Sequence, residues 1–174
     1  RRLKTVAKMI AGRHSTTNGR PIFFVSMGGF DTHQNLLGDH ANLMTDLGAS
    51  LQGFRDALTA QGDFGSVVTM VGSEFGRTFT PNGNNVAAGS DHGWGGHLMF
   101  MGGAIDGGRL LGTHPDFRLG EGLDTGRGRW IPTTSGSECA VELARWMDVP
   151  EGELLSIFPS LINFNGAPAP TIIV

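Results

Sequence analysis

Residues 36–58 constrain the fold of this chain more than any other stretch. Leu36, His40, Leu43, Leu47, Leu51, Phe54 and Leu58 recur at steps of three and four, which places them on one face of a long amphipathic helix. Gly62 closes that helix. A short apolar run stands on each side of it, PIFFVSM at 21–27 and SVVTMV at 66–71. Their length and their β-branched and aromatic content favour strands buried on both faces. Strand, helix and strand in this order form a βαβ unit, with parallel strands and a right-handed crossover. The pattern therefore predicts an α/β fold.

The rest of the chain reads in the same terms. Leu3, Val6, Ala7 and Ile10 lie at helical spacing in residues 1–12. A long loop is expected from 72 to 96, then a third strand at 98–101. Residues 105–133 are Gly-rich and irregular, with a short strand at 109–111. Ser137 is the expected cap of a helix reaching Met147, with Glu138 in its first turn. Its apolar face would be Ala140, Leu143, Ala144 and Met147. A last short helix runs from Pro150 to Phe158, and the tail after Pro159 is expected to be loop. The opening RRLKTVAKMIAG reads as the middle of a helix. Residues 1–174 are thus expected to be one domain, the C-terminal portion of a longer one.

Composition narrows the function classes. The net charge is −3, and Arg1, Arg2 and Lys4 form the only basic run, which argues against a nucleic-acid partner. Cys139 is the only cysteine, so there is no disulfide framework and no thiolate metal site. No apolar run approaches the ~20 residues of a membrane span, and no signal peptide is visible. Nothing in the pattern specifies an oligomeric state. Glycine is the outlier, with 28 residues gathered between the apolar runs, against a typical usage of about 7%. Such glycines serve tight turns and close backbone approach.

Three of these Gly-rich loops carry the polar chemistry: GGFDTH (28–33), SEFGRT (73–78) and GSDHGWGGH (89–97). Two follow expected strands, and the third precedes one. In an open parallel sheet, ligands bind beyond the C-terminal strand ends, so the loops should share one edge. Asp31 and His33 are two apart and point to one side of an extended segment. A carboxylate and an imidazole there can share a cation, and Asp91 or His92 can add a ligand. The alternative is that the aspartates cap turns and the histidines satisfy buried loops. Glu74 reads as a ligand or general base, or as the ion-pair partner of Arg77. Arg77 matches the geometry of a phosphate or sulfate clamp. His40 is either a core histidine or a residue turned towards the site, and His97 is a weaker candidate. His14 and His114 read as ordinary loop residues, and Trp94 as loop packing. No G-x-S-x-G elbow, P-loop or dinucleotide fingerprint is present.

GGFDTH, the helix with His40, SEFGRT, SDHG, MGGAIDGG, GRGRWIPTTS and ELARWMDV…IFPSL together resemble the DUF1501 family over nearly the whole chain. That family is similar to the alkaline phosphatase superfamily, which includes sulfatases. The resemblance implies a three-layer α/β/α sandwich with a mostly parallel sheet, and a divalent metal (Zn, Mn or Mg). It also implies export, often by the twin-arginine route in bacteria. Asp31, His33 and His92 match, in order, the ligands of one superfamily metal. A second metal would take an Asp-His pair where this chain has Glu74-Phe75, so that second site is altered or lost. The superfamily nucleophile, a Ser or Thr, would lie upstream. The expected function is metal-dependent hydrolysis of a small anionic phosphate or sulfate ester, with Glu74 and Arg77 as catalytic residues and Asp31, His33, His92, Glu74 and Asp91 as metal ligands. The competing expectation is a non-catalytic exported binding or scaffold protein.

Overall fold

The computed structural model describes residues 1–13, 19–164 and 171–173. Helix α1 (Arg2–Ala11) turns Val6, Ala7 and Ile10 onto Phe54 and Leu58 of helix α2 (Leu36–Gln61). These five side chains form a buried cluster, flanked by the partly buried Phe23, Phe64, Val67 and Met101. The apolar stripe expected on α2 is the protected one. It is deeply buried only at its C-terminal end, and His40 is exposed. Gly62 ends α2 in the left-handed conformation, with its N–H on the carbonyls of Leu58 and Thr59. Next to it, Arg13 reaches the buried Asp63 at 2.6 Å, which ties the ends of the two helices together.

The strands pair differently from the expectation. β1 (Thr69–Val71) and β4 (Met99–Met101) pair with each other, but antiparallel, with Met70 opposite Phe100. The expected loop 72–96 contains a second antiparallel pair, β2 (Gly76–Pro81) with β3 (Ser90–Gly93). Arg77 lies opposite His92 there, and the register shifts between Arg77 and Pro81. Interleaved Arg, Asp and His residues hid these strands, because neither has the apolar alternation of a half-buried strand.

The run 21–27 forms no strand among the described residues, and Ile22 and Phe24 are 86% and 95% exposed. A β-rich composition needs a neighbouring strand to pair with, and among the described residues none pairs with this run. The Arg2 guanidinium meets the Ser26 carbonyl and hydroxyl instead. Residues 109–111 form no strand either, and Leu110 is fully open to solvent.

Helix α3 (Gly136–Trp146) starts two residues earlier than expected. Its cap is Ser135, not Ser137: Ser135 and Glu138 form a reciprocal capping box. Ser137 bonds the Ser160 hydroxyl. Cys139 and Val141 are the buried apolar positions of α3, while Ala140, Leu143, Ala144 and Met147 are half-buried. Helix α4 (Glu151–Ile157) follows as expected, and residues 159–164 form a 3-10 turn where loop was expected. Among the described residues, no helix is long and apolar enough to cross a membrane.

Gly48 sits exposed inside α2, and a Cβ there would meet nothing within 4 Å. Gly48→Ala should raise stability by about 0.5–1 kcal/mol through helix propensity alone. Denaturant unfolding of the two proteins checks this.

Candidate metal centre

The loop 28–33 meets the β2–β3 hairpin through its backbone. Gln34 bridges Ala88, Asn35 N donates to Ala87 O at 2.8 Å, and Ser90 N donates to Thr32 O at 3.3 Å. Asn82, at the hairpin turn, joins both sides: its Nδ2 donates to His33 O at 2.8 Å, and its Oδ1 accepts from Gly89 N at 3.0 Å. Gly89 is the closest approach. A Cβ there would lie 2.1 Å from the His33 carbonyl carbon, so no other residue fits.

This contact brings three side chains to one point. Asp31 and His33 leave a tight turn, in which Thr32 N donates to Phe30 O and His33 N to Asp31 O. His92 arrives from β3. Asp31 Oδ1 lies 2.9 Å from His33 Nε2 and 2.8 Å from His92 Nε2, and the two Nε2 atoms lie 3.2 Å apart. These three residues are the one group of three or more metal-ligating side chains found together among the described residues. All three are exposed.

Each donor is braced separately. Arg77 NH1 donates to Asp31 Oδ1 at 2.8 Å. Together with His92, it holds the Asp31 carboxyl below the usual carboxylate range, with the His92 hydrogen bond as the larger cause. The Phe75 ring stacks on the His92 imidazole, with centroids 4.1 Å apart and planes 17° apart. His33 Nδ1 faces Asp91 Oδ1 at 3.3 Å. Asp91 Oδ2 is held by Arg127 at 2.5 Å, which depresses the Asp91 carboxyl.

The donor spacing suits a metal. Ligand atoms about 2.0–2.1 Å from one ion are separated by about 3.3 Å in a tetrahedron and about 2.9 Å in an octahedron. The observed 2.8, 2.9 and 3.2 Å lie close to those values. Two imidazoles with one carboxylate suit Zn or Mn better than Mg. Three protein ligands leave the remaining positions to water or substrate.

Other expected residues fall elsewhere. Glu74 is exposed, has no side-chain partner among the described residues, and lies outside the three-residue group. The Glu74–Arg77 ion pair is not formed. Arg77 is only 16% exposed, and its Nε and NH2 are engaged by Ser90, so it braces the loops instead of facing solvent. Asp91 sits behind His33, on the Nδ1 side. His40 packs edge-on to Phe30, 6.1 Å between centroids. His97 lies near His114, and His114 packs against Phe117. His14 is outside the described residues. Trp94 is 65% exposed and so does not pack the loop.

The family model described as "Protein of unknown function (DUF1501)" matches residues 2–121. This chain belongs to the DUF1501 family. No curated protein and no solved structure matches it. All three cluster residues of this DUF1501 chain lie within the matched stretch. Asn82 lies there too, and sequence reasoning missed it. Its signal was an Asn beside a Pro in a Gly/Asn-rich turn, which reads as punctuation. Arg127 and Arg129 were also missed, and they lie beyond the match.

Gly89→Ala should force the two loops apart. The expected cost is about 1–3 kcal/mol of stability, together with loss of metal binding. Calorimetry with Zn(II) and thermal unfolding measure both effects.

Proposed function

We propose that Asp31, His33 and His92 hold one divalent metal, Zn or Mn in preference to Mg, and that the protein uses it to hydrolyse small phosphate or sulfate esters. The observation that carries this reading is the convergence of His33 Nε2 and His92 Nε2 on Asp31 Oδ1, within 3.2 Å of one another. Arg77 and His92 both hydrogen-bond that oxygen, while His33 Nε2 lies 2.9 Å from it.

When bound, such an ion polarises an ester oxygen and lowers the pKa of water. The chain's own residues supply the rest. Asp31 and the two imidazoles would hold the ion. Arg77 and Arg127 are paired with Asp31 and Asp91, which leaves Arg129, with no carboxylate partner among the described residues, as the positive charge beside the ligand loops that favours an anionic substrate. Glu74, adjacent to Phe75 in sequence, exposed and without a side-chain partner among the described residues, would be the group to take up a proton. The similarity of the family to the alkaline phosphatase superfamily supports the ester class, and with it the three-layer α/β/α sandwich. The bare apolar run 21–27 is consistent with that sandwich, since a parallel sheet would bury it on both faces.

A second reading, a binding or scaffold protein without catalysis, is favoured by Phe75. This residue stands where the superfamily pattern has a ligand histidine, and its ring stacks on His92.

Metal content and hydrolysis of p-nitrophenyl phosphate and p-nitrophenyl sulfate by the purified protein separate these readings. The hydrolase reading expects bound Zn or Mn and turnover of one ester. His33→Ala should lower metal affinity by more than the roughly 100-fold seen when outer partners are lost, and abolish turnover. Bound metal without turnover of either ester supports the scaffold reading. A metal-free protein whose activity survives His33→Ala contradicts the metal centre.

A further inference from the structure

The segment GRGRW, 126–130, carries an Arg that reaches the back of the cluster. It is held as a tight turn by one carboxylate. Asp124 Oδ1 accepts from the N–H groups of Gly126 at 2.8 Å, Gly128 at 2.9 Å and Arg129 at 3.1 Å, and Oδ2 accepts from Gly120 at 2.8 Å. Gly126, Arg127 and Gly128 all have positive φ, of 108°, 64° and 73°. Arg127 is the one that is not glycine, and that conformation disfavours a side chain with a Cβ. The turn docks on the hairpin: Thr80 N donates to Arg127 O at 3.1 Å, Gly95 N donates to Trp130 O at 2.8 Å, and a Cβ on Gly128 would collide with Phe79.

Arg127 uses this position to face Asp91. Its NH1 lies 2.5 Å from Asp91 Oδ2, and its NH2 donates to Pro81 O at 3.3 Å. Asp91 is fixed further by its own N–H on Thr78 Oγ1 at 3.1 Å. The remaining oxygen, Oδ1, faces His33 Nδ1 at 3.3 Å. Arg129 Nε donates to the His92 carbonyl at 3.3 Å from the same turn.

We infer that the Asp124-held turn is a positioning element of the metal centre: Arg127 orients Asp91, and Asp91 holds the proton of His33 on Nδ1, leaving the Nε2 lone pair for the metal. Metal-bound histidines commonly donate their other ring N–H to a carboxylate, which sets the tautomer and raises ligand basicity. Asp91 is therefore an outer partner and not a ligand, since one oxygen is taken by Arg127 and the other faces the far nitrogen of His33. The inference rests on the metal reading above.

The test uses the purified protein, with Zn(II) alone as probe in competition with a chromophoric chelator, and Co(II) absorption as a report on geometry. Asp91→Ala should weaken Zn(II) binding by about 10- to 100-fold, and Arg127→Gly by about tenfold. The double variant should bind like Asp91→Ala alone, because both act along one path. The Co(II) band should shift in each variant. Glycine suits φ 64° better than arginine, so metal-free Arg127→Gly should unfold at or above the wild-type temperature. Weaker binding without lost stability is a result that a merely structural role does not give. Affinities within about twofold of wild type in both single variants, or losses that multiply in the double variant, overturn this inference alone. Wild-type protein that binds no Zn(II) overturns the metal reading and this inference with it.

Discussion

Segments 31–35 and 87–90 run backbone against backbone, and the candidate centre depends on that contact. Gly89 makes it possible, because a methyl group there would overlap the His33 carbonyl. Asn82 locks it by bonding both segments at once. The two segments belong to parts of the chain separated by the whole of α2, β1 and β2. Packing of α1 on α2 therefore matters to the site only indirectly, by returning the chain to where Gly89 meets His33.

The centre is exposed, so its order cannot come from burial. It comes from one brace per donor: Arg77 for Asp31, Phe75 for His92 and Asp91 for His33. A side chain on the surface loses more rotamer entropy on being held than a single weak contact returns. Three braces of different chemistry, resting on backbone already immobilised at Gly89, meet that cost for a centre open to solvent. Openness is also what the proposed ester chemistry requires.

The helices were legible from spacing, because the 3.6-residue period needs only an apolar stripe to show itself. The apolar residues from Leu36 to Leu58 and from Val6 to Ile10 were read on their protected faces, while His40 of the same stripe is exposed. Asp31, His33 and His92 were legible as a group through residue type and loop position. Strand pairing was not legible. The run 21–27 has strand composition but no partner beside it, while Arg77 and His92 sit opposite each other in strands whose polar content reads as loop. The roles of Asp91 and Arg77 were also hidden, since a carboxylate or guanidinium in a polar loop looks the same whether it binds a metal, a substrate or its neighbour. Only the distances separate these roles. Asp124 and Arg127 lay within a Gly-rich stretch whose shape comes from four backbone N–H groups on one carboxylate, a long-range fact that no local pattern reports.

X-ray absorption at the zinc edge of the Zn(II)-loaded protein tests the central claim most directly. The account predicts a first shell at about 2.0–2.1 Å with scattering from two imidazoles and one carboxylate, and loss of one imidazole in His92→Ala. An all-oxygen shell, or a spectrum unchanged by His92→Ala, would contradict it.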